Sequence, residues 1–126
     1  MKNPMYKKIG IFSRQVVETL NLDIPAGTEI VLSAESLVHI NERHPDSAEY
    51  IEEIAQIIAK PDYIGYSQRK NTVDFIRADR IRLCVPVRPS SDGIYFVRSL
   101  FKLHKGYFER LKQKNSILPV DKRNQT

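Results

Sequence analysis

The sequence is poor in the features that mark secreted and membrane-bound proteins. Its single cysteine, Cys84, has no partner for an internal disulfide or a metal cluster, so we expect a buried structural thiol in a reducing compartment. No apolar run reaches the roughly 18 residues of a membrane span, and the lysines near the N-terminus precede no long apolar segment that would make a secretory signal. We therefore expect a protein that acts in the cytoplasm and does not contact a membrane.

The chain also lacks the motifs of several common enzyme classes. It has no GxGxxG, Walker A, GxSxG or CxxC pattern, which excludes the common nucleotide-binding, hydrolase and redox sites, and no cofactor is expected. Internal repeats and interdomain linkers are absent as well. At 126 residues the chain has the length of one domain, so we predict a single domain over 1–126 with a frayed tail from about 119 to 126.

Charge is distributed unequally along the chain. Residues 1–63 carry 6 Lys plus Arg against 10 Asp plus Glu, whereas residues 64–126 carry 14 against 5, so the balances are −4 and +9 within a net charge of +5. The basic half is the natural surface for a polyanion such as RNA. Basic residues that only keep a small protein soluble would give the same counts, so this alternative stays open.

The first half of the chain has the apolar spacing of helices. Helices are predicted over residues 13–22, 33–43 and 46–60. A strand is predicted at 28–32, between the first and the second helix. Because the residue before a proline is pushed out of the α region, Pro45 must end the second helix near Arg43 and leave His44 at its terminus. Asp46 and Glu49 resemble a capping box at the start of the third helix.

After Pro61 the apolar spacing changes from about 3.6 to 2, which is typical of strands. Strands are predicted at 62–66, 72–78, 81–88 and 93–103, followed by a last helix at 106–114. Short turns between successive strands favour an antiparallel meander, and Pro86 indicates that the third of these strands lies at a sheet edge or has a bulge. The predicted fold class is α+β, with N-terminal helices packed on one face of a roughly four-stranded antiparallel sheet and a C-terminal helix.

The stretch LVHINERHPD places two histidines five residues apart, with an arginine between them. On a helix, His39 and Arg43 share a face, whereas His39 and His44 are separated by about 140°, so the histidines are not a simple metal pair. Glu35 and Glu42 do not complete a ligand set, and no metal site is predicted. Two interpretations remain: polar residues at a helix end, or a pair that transfers protons near neutral pH.

The basic second half contains further polar residues that suit a phosphate. Ser99 has the strand parity of its apolar neighbours, so its hydroxyl either bonds locally to the backbone or faces a functional cleft. Arg98 and Lys102 have the opposite parity and would point away from Ser99 on a regular strand. Asn71 lies with Arg69 and Lys70 in a turn that either contacts phosphate or is only solvated.

Metal-free cleavage of RNA needs a base for the ribose 2′-OH, an acid for the leaving 5′-oxygen and cationic or hydrogen-bonding groups around the phosphate. Two histidines, an arginine and a basic sheet supply these parts.

The chain resembles the phage-associated branch of the barnase, EndoU, colicin and RelE-like (BECR) ribonucleases in four successive features. These are the series HINERHP, the apolar helix ending IIAKPDYIG, the polar turn with Asn71 and the strand IYFVRSLFKL before a basic helix. The resemblance spans about residues 10–118.

This resemblance implies a small α+β nuclease fold that cleaves RNA without a metal ion. It would make His39 and His44 the proton-transfer groups, Arg43 a phosphate contact and Ser99 a hydroxyl near the phosphate. Lys102 would be an electrostatic helper. The expected catalytic residues are therefore His39, His44 and Ser99, although barnase itself uses a glutamate base and Glu42 could take that role here. The expected substrate-binding residues are Arg43, Asn71, Arg98 and Lys102.

Two functions follow from the sequence. The first is a metal-independent endoribonuclease that acts by transesterification at the ribose 2′-OH, encoded by a phage or mobile element as a toxin or effector. Its partners would be RNA and a cognate immunity protein or antitoxin. The second is a non-catalytic RNA- or DNA-binding module, or a phage accessory protein, that retains the nuclease fold.

Overall fold

The computed structural model describes residues 6–121. This part of the chain contains eight strands, four α-helices and a 3-10 helix. In chain order these elements are β1 (Tyr6–Ile11), α1 (Arg14–Thr19), β2 (Glu29–Ser33), α2 (Ala34–Arg43), the 3-10 helix (Pro45–Glu53), α3 (Ile54–Ala59), β3 (Tyr63–Ser67), β4 (Thr72–Ala78), β5 (Arg82–Pro89), β6 (Tyr95–Val97), β7 (Phe101–Lys102), α4 (Lys105–Gln113) and β8 (Ile117–Pro119). None of the helices within residues 6–121 is long and apolar enough to cross a bilayer.

The strands form one mixed sheet in the order β1-β2-β6-β5-β4-β3-β8, and β7 pairs with β5 beyond the end of β6. β2 and β6 are parallel, with Ile30 opposite Tyr95, while the other pairs are antiparallel. The predicted α+β class is confirmed, but the predicted meander of roughly four antiparallel strands is too small. Local sequence patterns reveal neither the three-residue β8 nor a parallel pair that joins distant segments.

Apolar residues are buried on both faces of this sheet. The larger core lies between the sheet and helices α1 to α3, and its fully buried members include Phe12, Val16, Ile30, Ile40, Ile54, Ile57, Phe75, Val85, Val97 and Leu100. A smaller cluster under α4 consists of Ile76, Cys84, Leu103, Phe108 and Ile117. The N-terminal helices α1 to α3 therefore pack on one face of the sheet, and α4 covers apolar side chains that point from the strands to the opposite face.

Helix α2 begins and ends where local signals predict. The Ser33 hydroxyl accepts a hydrogen bond from the backbone N–H of Ser36 at 3.1 Å, which caps the first turn. The last helical residue is Arg43, and His44 is the C-cap with φ −136° and ψ 58°. The predicted capping box at Asp46 does not form, because Pro45 already begins the 3-10 helix and its N-cap is His44.

A bulge interrupts the strand that was predicted over 93–103. On one side of it Val87 pairs with Val97, and on the other side Cys84 pairs with Phe101. Three residues, 98–100, therefore lie opposite two residues of β5, which is the definition of a β-bulge. The extra residue shifts every later side chain of this strand to the other face of the sheet.

Pro86 lies directly opposite this bulge. Pro86 was expected to mark a sheet edge or a bulge in its own strand, and neither is found, since β5 is paired on both sides, by β4 and by β6 and β7, and its register with β4 is continuous. The irregularity is in the neighbouring strand, where the backbone N–H of Arg98 donates to the Pro86 carbonyl oxygen at 2.7 Å.

The predicted frayed tail falls partly outside the described residues. Pro119 ends strand β8, and the Gln15 side chain donates a hydrogen bond to the backbone oxygen of Asp121 at 3.0 Å. Residues 122–126 lie outside the described part of the chain.

Candidate active site

A pocket of about 1050 Å³ lies on the face of the sheet that α4 partly covers. Three structural elements surround it: the end of α2, the bulge between β6 and β7, and α4 with the turn that follows. The residues from these elements are His39, His44, Arg98, Ser99, Phe101, Leu103, Tyr107, Leu111, Asn115 and Ser116. The floor and outer rim come from β3, β4, β5 and the β3–β4 turn, and include Ser67, Arg69, Lys70, Thr72, Asp74, Cys84, Pro86 and Arg88.

A short chain of hydroxyl groups fixes α2 beside the bulge. The Ser33 hydroxyl donates to the Ser36 hydroxyl at 3.0 Å, and the Ser36 hydroxyl donates to the backbone oxygen of Val97 at 2.6 Å. Both serines are buried, and Val97 is the last residue before the bulge. The first turn of α2 is thereby anchored to the strand that carries Arg98 and Ser99.

His39 and His44 line this pocket as neighbours, with one ring edge-on to the other. Their ring centroids are 5.8 Å apart with the planes at 66°, and the His44 ring lies 5.5 Å from the ring of Phe101. On a continuous helix the two histidines would point in different directions. The helix ends at Arg43 instead, and the non-helical backbone of His44 brings its ring beside that of His39.

The surroundings of His39 favour its neutral form. Burial lowers the pKa of His39 below its usual value of 6.5, and the positive charge of Arg98 lowers it further, with smaller effects from His44 and Arg43. Glu42 acts in the opposite direction. A neutral imidazole beside a guanidinium can accept a proton at physiological pH.

The bulge places Arg98 and Ser99 in the same pocket, although their parity on a regular strand would separate them. Ser99 is 4% exposed, and its hydroxyl has no hydrogen-bond partner among the residues that the structure describes. A buried polar group without a partner costs free energy unless a ligand supplies one. Arg98 is exposed and adds positive charge next to the buried hydroxyl.

The rim of the pocket is strongly basic. Four cationic side chains line it, namely Arg69, Lys70, Arg88 and Arg98. Asp74 is the one carboxylate among the lining residues within 6–121. Such a balance attracts a polyanion.

The sequence matches the model of the phage barnase–EndoU–colicin E5/D–RelE-like nuclease 3 family over residues 7–110, which is most of the chain. The chain belongs to this nuclease family. The matched region runs from β1 into α4 and includes both histidines and the bulge, so the resemblance suggested by the sequence is confirmed. No curated protein and no solved structure matches the chain.

Three of the expected substrate-binding residues lie away from the pocket. Lys102 follows the bulge and therefore points to the opposite face, where its Nζ lies 3.9 Å from Asp46 Oδ2 and 5.8 Å from the centroid of the Tyr50 ring. Arg43 is exposed and does not line the pocket. Asn71 lines a separate pocket of about 270 Å³, so of the four expected substrate-binding residues only Arg98 joins the histidines.

Two other polar residues have local roles in the structure. The Asn71 amide oxygen accepts a hydrogen bond from the Tyr66 hydroxyl at 3.2 Å, and its φ of 51° is typical of a turn asparagine. His104 caps α4, because its Nδ1 accepts from the backbone N–H of Gly106 at 3.1 Å. Glu42, the alternative base, is exposed and is not among the pocket residues.

Asp74 is a pocket residue that the sequence did not indicate. It lies in the middle of β4 and points into the floor beside Cys84, whose thiol donates a hydrogen bond to it. Burial raises the pKa of Asp74 to about 6, while the thiol and Lys70 act in the opposite direction. The available signal was a carboxylate in the middle of a strand that is otherwise mostly apolar. Cys84 itself is 2% exposed, as predicted, and burial raises the pKa of its thiol.

None of these side chains groups into a metal site in the structure. Among residues 6–121, no three His, Cys, Asp or Glu side chains are arranged as ligands for one ion.

Proposed function

We propose that the chain is an endoribonuclease that cleaves RNA by general acid–base transesterification at the ribose 2′-OH, without a metal ion. The observation that carries this proposal is the position of the two imidazoles. Their ring centroids lie 5.8 Å apart, and they line a basic pocket together with Arg98 and with Ser99, whose hydroxyl has no hydrogen-bond partner in the described part of the chain. Membership of a nuclease family supports the same conclusion.

The two histidines supply the proton transfers of this reaction. Neutral His39 accepts the proton of the 2′-OH while the 2′-oxygen forms a bond to phosphorus, and the bond from phosphorus to the 5′-oxygen breaks. Protonated His44 donates its proton to the departing 5′-oxygen. The products are a 2′,3′-cyclic phosphate and a 5′-hydroxyl. Acid and base groups act over about 2.6–3.2 Å, so two rings with centroids 5.8 Å apart can each reach one oxygen of the same phosphodiester.

Arg98 and Ser99 bind the phosphate while it reacts. The guanidinium and the hydroxyl are hydrogen-bond donors, and both face the charge that develops on the non-bridging oxygens. The Ser99 hydroxyl has no partner in the described part of the chain, so a phosphate oxygen provides the bond that it lacks. Burial is the main cause of the lowered pKa of His39, and the charge of Arg98 adds to it, so the guanidinium that binds the phosphate also favours the neutral base.

The other basic residues of the rim hold the RNA strand on either side of the reacting phosphate. Arg69, Lys70 and Arg88 line the pocket, and contacts of this kind make affinity fall with salt concentration. The same lining favours the second candidate, an RNA-binding protein of this fold without catalysis. Because the family is phage-associated, we further propose that the ribonuclease is a toxin or effector and that a cognate immunity protein or antitoxin inhibits it.

Cleavage of a labelled RNA in EDTA tests the proposal. We expect oligonucleotide products with 2′,3′-cyclic phosphate ends, and we expect a substrate with 2′-deoxy sugars to remain intact because it lacks the nucleophile. A double variant, His39→Ala with His44→Ala, purified in parallel, controls for contaminating ribonucleases. Salt-sensitive RNA binding without cleavage would instead support the non-catalytic candidate, and cleavage that stops in EDTA would contradict the metal-free mechanism.

A further inference from the structure

Phe101 lines the pocket but has no part in the proposed proton transfers. It lies in β7, where its backbone is paired with Cys84 of β5, and its half-buried ring packs against the apolar cluster under α4. The centroid of this ring is 5.5 Å from that of the His44 imidazole, with the planes at 38°. A ring that is fixed by a strand and by a core cluster is a firm support for the side chain beside it.

The His44 imidazole depends on such a support. His44 follows the last residue of α2, its backbone is not helical, and its side chain does not cap the 3-10 helix that follows. No protein group within residues 6–121 forms a hydrogen bond with either of its ring nitrogens. The orientation of the imidazole therefore rests on its contacts with the rings of His39 and Phe101.

The bulge is what turns Phe101 toward His44. On a regular strand Phe101 would share a face with Val97, which belongs to the core under α1 to α3. The extra residue moves Phe101 to the pocket face and moves Lys102 to the other face, where it lies beside Asp46 of the 3-10 helix. Two adjacent residues of β7 thus contact His44 and the segment that follows it.

The orientation of His44 decides whether it can act as the acid. A proton donor must come within about 2.6–3.2 Å of the oxygen that receives the proton. A misplacement of about 1 Å can lower a rate by about 10²-fold. Aromatic rings at the separation seen here attract one another, so Phe101 restricts the rotation of the imidazole.

We propose that Phe101 is the positioning residue of the acid, and that its ring holds the His44 imidazole beside His39 with an N–H directed at the leaving 5′-oxygen. Phe101 transfers no proton and acts only through His44. The inference rests on the proposed function, in which His44 protonates the leaving group. The placement of the His44 ring can also be measured without any reaction, so the two can fail separately.

A change of the leaving atom tests this role. In ordinary RNA the bond from phosphorus to the 5′-oxygen breaks, and His44 gives that oxygen a proton. In an RNA with sulfur in place of this oxygen, the phosphorus–sulfur bond breaks and a thiolate departs. A thiolate is a much weaker base than an alkoxide, so it leaves without receiving a proton. Only the 5′-oxygen substrate therefore reports on the acid.

Phe101→Leu should lower kcat/KM for the 5′-oxygen substrate by about tenfold, less than the loss of the acid itself, and should leave cleavage of the 5′-sulfur substrate nearly unchanged. His44→Ala should show the same pattern with a larger effect, whereas His39→Ala should slow both substrates because both need the base. Phe101→Tyr keeps the ring and should restore most of the rate. Phe96→Leu removes a half-buried ring outside the pocket and should slow neither substrate.

NMR spectroscopy supplies the measurement that needs no cleavage. With centroids 5.8 Å apart, the His39 and His44 rings should show nuclear Overhauser effects between their protons in the wild-type protein. These effects should be lost in Phe101→Leu, because the His44 ring then rotates freely, and should be retained in Phe101→Tyr and in Phe96→Leu.

Three outcomes would overturn the positioning role. They are equal losses on the two substrates in Phe101→Leu, an unchanged rate on the 5′-oxygen substrate in that variant, and contacts between the histidine rings that persist in it. A wild-type protein that cleaves neither substrate would contradict the proposed ribonuclease. Loss of the contacts between the histidine rings in Phe101→Leu would in that case still support the placement of His44 by Phe101.

Discussion

The backbone N–H of Arg98 donates to the carbonyl oxygen of Pro86 at 2.7 Å, and at this point the strand that follows β5 gains one residue. Without that residue, Arg98 and Ser99 would point to opposite faces of the sheet. With it, both line the pocket and Lys102 turns away. Bulges next to active sites commonly redirect side chains in this way.

Removing either histidine should abolish most of the cleavage. We expect His39→Ala and His44→Ala each to lower kcat/KM for RNA by at least about 10²-fold, the usual contribution of a general acid or base. His104→Asn is a matched control, because asparagine can still cap α4 and His104 lies outside the pocket. Cleavage that survives in both alanine variants would remove the histidines from the mechanism.

Ser99→Ala should separate stability from activity. The substitution removes a buried hydroxyl that has no partner within the described residues, so the free energy of unfolding should stay equal or rise by about 1 kcal/mol. Cleavage should fall by about tenfold, because the phosphate loses a donor.

Ser47 provides the control for this prediction. Its hydroxyl is also buried without a partner in the described part of the chain, but it lies outside the pocket. Ser47→Ala should therefore show the same change in urea denaturation and no change in cleavage rate. Equal activity of both serine variants would contradict a role for Ser99 in catalysis.

The protonation of His39 should depend on Arg98. Arg98→Gln removes a nearby positive charge, so the pKa of His39, measured by NMR titration of the imidazole, should move up toward 6.5. Burial, the larger cause, remains, so the shift should be partial. In the wild-type protein, cleavage should fall as pH drops through the lowered pKa of His39, because protonation removes the base. An unshifted titration in the variant would show that the guanidinium does not act on this ring.

Asp74→Asn should stabilise the protein in a pH-dependent way. The pKa of Asp74 is raised from 3.8 to about 6 in the folded state, so ionisation costs stability that first appears as the pH rises through about 3.8 and is nearly complete above about pH 6. The neutral variant avoids this cost and should gain on the order of 2 kcal/mol over wild type at pH 8, but only about 0.5 kcal/mol at pH 4. Melting curves at the two pH values measure the difference. A gain of equal size at both values would show that ionisation is not its cause.

The part of the fold that positions the two histidines was predictable because its signals are local. Pro45 alone sets the end of α2, and therefore the position of His44, while Ser33 sets its start. Strand β4 spans the predicted residues Thr72–Ala78 because its apolar alternation is regular. These features depend only on residues that are close together in the sequence, so they can be predicted without knowing the fold.

Other features depend on contacts between distant segments. The bulge is invisible in the strand that contains it, since Arg98 and Ser99 alternate there like any strand residues, and it is defined only by the register against β5. Asp74 was missed for a similar reason. Its environment comes from α4 and the turn at Ser116, which pack over the sheet only in the folded protein.

The parallel pairing of β2 with β6 also determines when the pocket can exist. His39 and His44 precede α3, whereas Arg98 and Ser99 follow β6 and are synthesised much later. A ribosome that makes this chain releases the segment with the two histidines before the segment with Arg98 and Ser99. The pocket can therefore form only after the strands of the C-terminal half have left the ribosome and paired.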